Sequence, residues 1–113
     1  MKLPYAQAVD RRQVLQKLET YALNLNHPSG KHKARLFRAK LGITLSSKEF
    51  LASVLMEAVL QAEAILTIGD RYGQRYVVDF PITTAGGKSS MVRSAWIIRQ
   101  GEAMPRLTSV YPI

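Results

Sequence analysis

Residues 27 to 42, which read HPSGKHKARLFRAKLG, contain both histidines of the chain and five of its sixteen lysine and arginine residues. No acidic residue occurs between Glu19 and Glu49 to neutralise these cations. An imidazole is the side chain that most readily exchanges a proton near neutral pH, and clustered cations bind phosphate groups. The segment therefore fits a site that holds a phosphate and moves a proton. A solvated polar helix face would have the same composition, and both interpretations stay open.

A helix predicted over residues 30–41 decides which of these side chains face solvent. At about 100° per residue, three apolar residues share the side that must face the core. These are Ala34, Phe37 and Leu41. Lys31, Arg35 and Arg38 form a basic stripe along one flank of the helix, and His32 lies nearly opposite the apolar residues. His32 is therefore predicted to be exposed.

The position of His32 in this helix suits it to accept a proton. Ser29 is the predicted N-cap and Gly42 the predicted end of the helix, which places Lys31 and His32 in the first turn. Backbone N–H groups are free there and the helix dipole is positive, so the turn can bind an anion. These surroundings, with Lys33 adjacent, disfavour a charged imidazolium. A neutral His32 can act as a general base.

The other predicted elements place this helix in an α+β domain. Asp10 is a predicted N-cap for a helix over about 11–24, and Ser46 with Glu49 forms a capping-box pattern before a helix over about 47–63. Alternating apolar residues and glycine-rich turns predict strands over 64–68, 74–84, 89–99 and about 106–111. About three N-terminal helices followed by a small antiparallel sheet of three to four strands make a single domain over 1–113.

Apolar spacing also predicts the core. In the first helix the core residues are Val14, Leu18, Ala22 and Leu25, and in the third they are Phe50, Leu51, Val54, Leu55, Ala58, Val59 and Ala62. On the sheet, strict alternation places Tyr76, Val78, Phe80, Val92, Trp96, Leu107 and Tyr111 against the helices. The opposite face then carries Arg75, Arg93, Arg99, Arg106 and the hydroxyl of Thr108. A polar outer face is ordinary for an antiparallel sheet, so the pattern alone does not separate binding from solvation.

The composition indicates the class of partner. The net charge of +8 and the pI of about 10.1 should attract polyanions such as nucleic acid or an acidic protein. The chain has no cysteine, and two histidines spaced HxxxxH without nearby acidic residues are not a metal motif, so we expect no metal and no cofactor. The N-terminus has no apolar signal core and no segment reaches the length of a membrane span. We expect a cytoplasmic protein without membrane association, although a toxin domain cut from a larger exported chain would have the same features.

Four segments resemble a family of short bacterial proteins of uncharacterised function, over nearly the whole chain. They read NLNHPSGKHKARLF, DRYGQRYVVDF, VRSAWIIRQGEAMPRLTS and LTSVYPI. The order of helices and sheet, the early helix with lysine and histidine, and the last strand LTSVYP also resemble the barnase/EndoU/colicin/RelE superfamily of small ribonucleases. That second resemblance implies a toxin, either in a toxin–antitoxin pair or at the end of a larger protein. It also implies RNA as the substrate and an acidic antitoxin or immunity protein as the partner.

The resemblance to these ribonucleases implies metal-independent cleavage of RNA through the 2′-OH. By resemblance, His32 with Lys31 or Lys33 matches the histidine and lysine that such toxins carry on a helix, Arg93 matches a sheet arginine, and Thr108 or Ser109 matches the hydroxyl of the last strand. His27 has no counterpart there.

The chemistry of such cleavage suggests a role for each catalytic candidate. We expect His32 to be the base and His27 the acid, Lys31, Lys33 and Arg93 to hold the phosphoryl oxygens, and Thr108 to donate a hydrogen bond to the phosphate. The basic flank of the second helix and the cationic face of the sheet supply the candidate substrate-binding residues, which are Arg35, Arg38, Arg75, Arg99 and Arg106, together with Ser109 of the last strand.

Two other functions stay open. A non-catalytic module could bind nucleic acid or an acidic protein partner through the same basic surface, which needs the cations and no particular histidine. A scaffold domain could use the charge for solubility alone. Replacing His32 distinguishes the ribonuclease from the non-catalytic module, because cleavage should then be lost while RNA binding survives.

Overall fold

The helices precede the sheet in the chain, which confirms the predicted α+β class. The computed structural model describes residues 1–113. Its helices are α1 over Arg11–Lys17, which continues into a π-helical turn over Leu18–Ala22, α2 over Gly30–Leu41, and α3 over Lys48–Gln61. Single 3-10 turns cover Ala6–Ala8 and Leu45–Ser47. None of the helices combines the length and apolar composition needed to cross a bilayer.

The predicted Asp10 cap and Gly42 terminus both form. The Asp10 carboxylate accepts a hydrogen bond from the Arg12 N–H at 2.9 Å, which satisfies a free donor at the start of α1. Gly42 ends α2 with φ at 66°, a left-handed conformation that glycine adopts without strain. The start of α1 and the end of α2 are therefore each specified by the residue type at that position.

Two other predicted side-chain caps do not form, although α2 does begin directly after Ser29. The Ser29 side chain makes no capping bond, and His27 caps α2 in its place. The capping box of Ser46 and Glu49 does not form, because the 3-10 turn before α3 directs the Ser46 hydroxyl to that of Thr44 at 2.9 Å. In both cases the chain approaches the helix in a conformation that the residue types alone do not specify.

The π-helical turn changes which leucine reaches the core. The Leu23 N–H bonds to the Leu18 carbonyl at 2.9 Å, one residue further back than in an α-helix. The apolar face shifts with that extra residue, so Leu23 is buried. Leu25, which was predicted to be a core residue, is 43% exposed. The other predicted core residues of this helix are buried, namely Val14, Leu18 and Ala22.

The sheet is antiparallel, with its strands in chain order. The strands are β1 over Ala64–Leu66, β2 over Gly73–Thr83, β3 over Ser89–Arg99 and β4 over Pro105–Pro112. Strand β2 continues through Pro81. Strand β1 begins at Ala64, opposite Val78, so it does not extend far enough to pair with Pro81. Proline is tolerated at such an uncovered edge. The other edge strand, β4, is covered at Leu107, whose backbone N–H and carbonyl bond to the Gln13 side chain at 2.8 and 2.9 Å.

The core lies between the helices and one face of the sheet. Trp96 is 1% exposed, and its indole N–H donates to the buried Ser94 hydroxyl at 2.9 Å. The buried sheet residues include the predicted Tyr76, Val78, Phe80, Val92 and Leu107. Phe50 of α3 was predicted in the core and is 44% exposed, so part of the apolar stripe of α3 stays outside.

A β-bulge in β4 reverses the prediction for Tyr111. Ala95 pairs with Ser109 while Trp96 pairs with Leu107, so Thr108 is an extra residue in β4. Beyond the bulge the alternation changes phase, and Tyr111 lies opposite the half-exposed Arg93 instead of in the core. This shift brings a phenol to the open side of the sheet.

Candidate functional site

Five half-buried side chains from four parts of the fold meet at the β4 edge of the sheet. They are Tyr21 from the π-helical turn, His27 from the loop before α2, Lys33 from α2, and Ser109 and Tyr111 from β4. We call these five residues the edge cluster. Each keeps part of its surface open to solvent, so the edge cluster is accessible to a ligand.

His27 both caps α2 and packs on Tyr21. Its Nδ1 accepts hydrogen bonds from the backbone N–H groups of Gly30 at 2.9 Å and Ser29 at 3.1 Å. The imidazole lies edge-on to the Tyr21 ring, with centroids 4.9 Å apart and an interplanar angle of 89°. Because Nδ1 accepts these bonds, the proton of the neutral ring lies on Nε2. His27 therefore presents a hydrogen-bond donor at Nε2.

The ammonium group of Lys33 lies near both tyrosines of the edge cluster. Its Nζ is 5.1 Å from the centroid of the Tyr21 ring and 5.4 Å from that of Tyr111. A cation within about 6 Å of an aromatic centroid is attracted by the ring, so the two phenols help to position Lys33. Lys33 makes no ion pair with a carboxylate. Its charge is available to an anion.

Lys33 lowers the pKa of the Tyr21 phenol, because the nearby cation favours the phenolate. Burial acts in the opposite direction, and the hydroxyls of Ser29 and Ser109 add to the lowering. Ser109 is near enough to influence Tyr21, yet its buried Oγ completes no hydrogen bond within the protein. Buried hydroxyls are usually paired, and the group nearest to the Ser109 Oγ that could pair with it is the Tyr21 phenol.

A glycine permits the close approach of α2 to the π-helical turn. A Cβ added to Gly30 would overlap the Tyr21 carbonyl oxygen and lie 3.0 Å from the Tyr21 ring carbon Cδ1. A larger residue would push the start of α2 away from Tyr21. Gly30 therefore fixes how close His27 and Lys33 come to the phenol.

Arg93 joins the edge cluster through Tyr111, its partner across β3 and β4. Its guanidinium donates two 2.9 Å hydrogen bonds to the carboxylate of Asp79. Asp79 first, and then Tyr111, raise the pKa of Arg93 above its ordinary value. Arg93 thus lies beside the edge cluster, with part of its charge already neutralised by Asp79.

The structure does not bring His32 to the edge cluster. His32 is exposed, as predicted, on the side of α2 away from the core, and it has none of the ring and cation contacts that join the cluster. Lys31, Arg35 and Arg38 lie on the flank of α2 opposite Lys33, and none of them forms an ion pair. Of the predicted site residues between positions 27 and 42, His27 and Lys33 are the two that belong to the edge cluster.

The remaining predicted site residues differ in whether they already have a hydrogen-bond or ion-pair partner within the protein. The Thr108 hydroxyl donates to the Ala95 carbonyl at 3.0 Å, so its hydrogen is used within the sheet. Two arginines are paired with carboxylates, Arg75 with Asp70 at 2.9 Å and Arg106 with Glu102 at 3.1 Å. Arg99 is exposed and makes no ion pair.

The chemistry of the edge cluster is that of an anion site. It offers an ammonium group, an imidazole N–H and two phenols, and it contains no carboxylate. Nowhere in the structure do three His, Cys, Asp or Glu side chains lie close enough to hold a metal ion. The donors present fit a phosphate better than a cation.

Sequence reasoning missed Tyr21 and Tyr111. A signal for Tyr21 was present, because Lys17 precedes it by one helical turn and places its Nζ 5.4 Å from the ring centroid. No comparable signal marks Tyr111, whose position depends on the bulge at Thr108. Ser109, predicted as a substrate-binding residue, lies in the edge cluster, and its role in binding stays a prediction.

The sequence of the chain also matches a family model over residues 2–113. The family is described as a domain of unknown function, DUF6883. The chain belongs to the DUF6883 family. Membership in a family of uncharacterised function agrees with the first resemblance seen in the sequence. No curated protein matches the chain.

The DUF6883 fold is similar to a solved structure. The chain aligns with one chain of a contact-dependent growth inhibition toxin–immunity protein complex from Klebsiella pneumoniae 342. The alignment covers 96% of each chain, with a TM-score of 0.63 and 16% sequence identity. At this identity the comparison establishes a shared fold, and the resemblance of this DUF6883 domain to ribonucleases stays a prediction.

Proposed function

We propose that this chain is a toxin that cleaves RNA without a metal ion and that an antitoxin or immunity protein neutralises it. The observation that carries the proposal is the edge cluster, in which a cation without an ion pair, an imidazole N–H and two phenols converge. Such groups can hold a phosphate and move a proton. The fold shared with a chain of a toxin–immunity protein complex supports the toxin part of the proposal.

The proposed reaction uses the ribose 2′-OH as the nucleophile. The 2′-oxygen forms a bond to phosphorus while the bond from phosphorus to the 5′-oxygen breaks, which leaves a 2′,3′-cyclic phosphate. Negative charge grows on the phosphoryl oxygens during this step. Lys33, Arg93 and the Nε2–H of His27 are the donors that would stabilise it. DNA has no 2′-OH and cannot react by this route.

The basic surface of α2 would attract the RNA backbone. Its five cations are Lys31, Lys33, Arg35, Arg38 and Lys40, and the helix contains no acidic residue. None of the five is in an ion pair. Release of counterions from the RNA would make binding strong at low salt and steeply salt-dependent. The same field would favour a neutralising partner whose carboxylates cover the edge cluster.

The experiment compares RNA and DNA oligonucleotides of the same sequence, with and without EDTA. We expect the parent to cut RNA to a cyclic phosphate, to leave DNA intact and to be unaffected by EDTA. Lys33→Met should lower the cleavage rate by about 10²-fold, the typical effect of removing one donor that stabilises a developing charge. Lys88→Met is the matched control, because Lys88 is exposed in the β2–β3 hairpin and makes no ion pair.

A non-catalytic RNA-binding module is the second candidate. The observation that favours it is the position of Lys31, Arg35 and Arg38, which are unpaired on the flank of α2 away from the edge cluster. This surface needs no reactive group. Salt-dependent RNA binding by the parent without cleavage of any RNA would select this function over catalysis.

A further inference from the structure

Tyr21 is the group of the edge cluster that is best placed to accept a proton. It is half-buried, so a substrate can reach its phenol. It is held in place by the edge-on ring of His27 on one side and by the start of α2, which packs against it at Gly30. The unpartnered Ser109 Oγ lies near it on β4. A phenol fixed in this way, with the Lys33 ammonium group beside it, can meet a bound sugar hydroxyl in one orientation.

Cations face Tyr21 from two helices. Lys17, one turn earlier in the chain, lies 5.4 Å from the ring centroid, and Lys33 of α2 lies 5.1 Å from it. The other titratable groups at this place are His27 from the loop and Tyr111 from β4, which shares Lys33 with Tyr21. No carboxylate is among the groups that act on Tyr21. The surroundings therefore favour the phenolate, in agreement with the lowered pKa of Tyr21.

We propose that Tyr21 is the general base that removes the proton from the ribose 2′-OH, with Lys33 holding the phosphate beside it. This inference rests on the proposed function. The phenolate oxygen takes the proton, the 2′-oxygen bonds to phosphorus, and the bond to the 5′-oxygen breaks. The departing 5′-oxygen takes its proton from water, which reaches the half-exposed site.

The histidines are less suited to the role of base. In His27 the Nδ1 lone pair already accepts two backbone N–H groups, and Nε2 carries the ring proton. Neither nitrogen is therefore free to take a further proton without breaking the cap of α2. His32 is exposed on α2 and has no ring contact with Tyr21, whereas His27 has one.

The first test measures ionisation and needs no RNA. The tyrosines of the free protein, labelled at the ring carbon that bears the hydroxyl, are titrated by NMR, and the Tyr21 signal is identified by its absence in Tyr21→Phe. We expect the pKa of Tyr21 to lie below the ordinary tyrosine value, and we expect Lys33→Met to raise it. Lys88→Met, which removes a distant charge, should leave it in place. A Tyr21 pKa at the ordinary tyrosine value, or one indifferent to Lys33→Met, would overturn the assignment.

The second test measures cleavage. Tyr21→Phe should lower the single-turnover rate by about 10²–10⁴-fold while RNA affinity stays at the parental value. Tyr5→Phe is the matched control, because Tyr5 is exposed and outside the edge cluster. The parental rate should rise with pH as Tyr21 loses its proton, and Lys33→Met should move that rise to higher pH.

The outcomes separate this inference from the proposed function. If the parent cleaves RNA and Tyr21→Phe does so at the parental rate, Tyr21 is not the base and the proposed function stands. Loss of cleavage in His32→Ala together with full activity in Tyr21→Phe would assign the base to His32. If the parent cleaves no RNA, both the function and the base assignment are overturned.

Discussion

Three arginines of the sheet and five cations of α2 differ in what lies next to them. Arg75, Arg93 and Arg106 each donate to a carboxylate on the same sheet or an adjoining turn, whereas α2 has no acidic residue and no ion pair. The excess positive charge is therefore concentrated on α2, and much of the charge of the sheet is neutralised within the protein. Cations of the same type therefore differ in how readily they bind an anion, because an anion must compete with a carboxylate on the sheet and with no carboxylate on α2.

The sheet and α2 therefore have different roles, because the sheet positions side chains and α2 supplies unpaired positive charge. The sheet supplies a rigid surface with Ser109, Tyr111 and Arg93 at its β4 edge, and α2 brings Lys33 against that edge. The edge cluster lies where the sheet, with its paired arginines, meets α2, with its unpaired cations. The following predictions test this division, from the largest expected effect to the smallest.

Trp96→Ala should unfold the scaffold rather than weaken binding alone. Truncation of this buried ring removes its packing and leaves the Ser94 hydroxyl without the indole N–H. The expected loss in the free energy of unfolding is about 3–5 kcal/mol, measured by urea denaturation. Tyr72→Ala, at a tyrosine that is 57% exposed, should change it by less than about 0.5 kcal/mol. A Trp96→Ala protein of parental stability that has lost RNA binding would show that the two sheet faces are assigned backwards.

Gly30→Ala should separate the two regions. The added methyl group overlaps the Tyr21 carbonyl, and relieving such an overlap typically costs about 1–3 kcal/mol. As α2 moves away, Lys33 leaves the phenol and the pKa of Tyr21 should return toward its ordinary value. Gly86→Ala is the control, since a Cβ there meets only the Thr84 hydroxyl at 3.9 Å. An unchanged Tyr21 titration in Gly30→Ala would mean that Lys33 does not depend on this contact.

The fold could be predicted from the sequence because its signals are local and repeated. The helices, the strands and the burial of Trp96 follow from apolar periodicity over many residues. A single irregularity is enough to defeat the same reasoning. The π-helical turn exposes Leu25, and the bulge at Thr108 moves Tyr111 out of the core.

The site was predictable only in part for the same physical reason. His27 and Lys33 could be chosen by residue type, because both lie in the basic segment. The contact of Lys33 with Tyr21 and Tyr111 joins distant parts of the chain, and no spacing rule connects them. Nor does composition show that Arg93 already pairs with Asp79.

Removing charge from the two regions should affect RNA binding unequally. Arg35→Gln with Arg38→Gln removes two unpaired cations, so the slope of log affinity against log salt should fall by about 1.4, or roughly 0.7 for each lost contact with single-stranded RNA. Arg75→Gln with Arg106→Gln removes the same formal charge from residues that already pair with carboxylates. The slope of log affinity against log salt should change far less in this second double variant. Equal losses in the two double variants would show that ion pairing does not decide which cations meet RNA.

Asp70→Asn should have the smallest effect, a slight loss of stability that is present at neutral pH and disappears in acid. The Arg75 guanidinium, and then the Tyr72 backbone N–H, lower the pKa of Asp70, so its carboxylate is favoured in the folded protein. A carboxylate with a lowered pKa adds stability above its unfolded pKa of about 3.9, and this stability is lost as the pH falls through the folded pKa. The parent should therefore be slightly more stable than Asp70→Asn at neutral pH in urea denaturation, and the difference should shrink in acid and at high salt, because the pair is exposed. A difference that persists unchanged in acid would mean that the Asp70 charge is not what stabilises this turn. The carboxylate would then hold Arg75 by geometry alone, and the sheet arginines would be less neutralised than their ion pairs indicate.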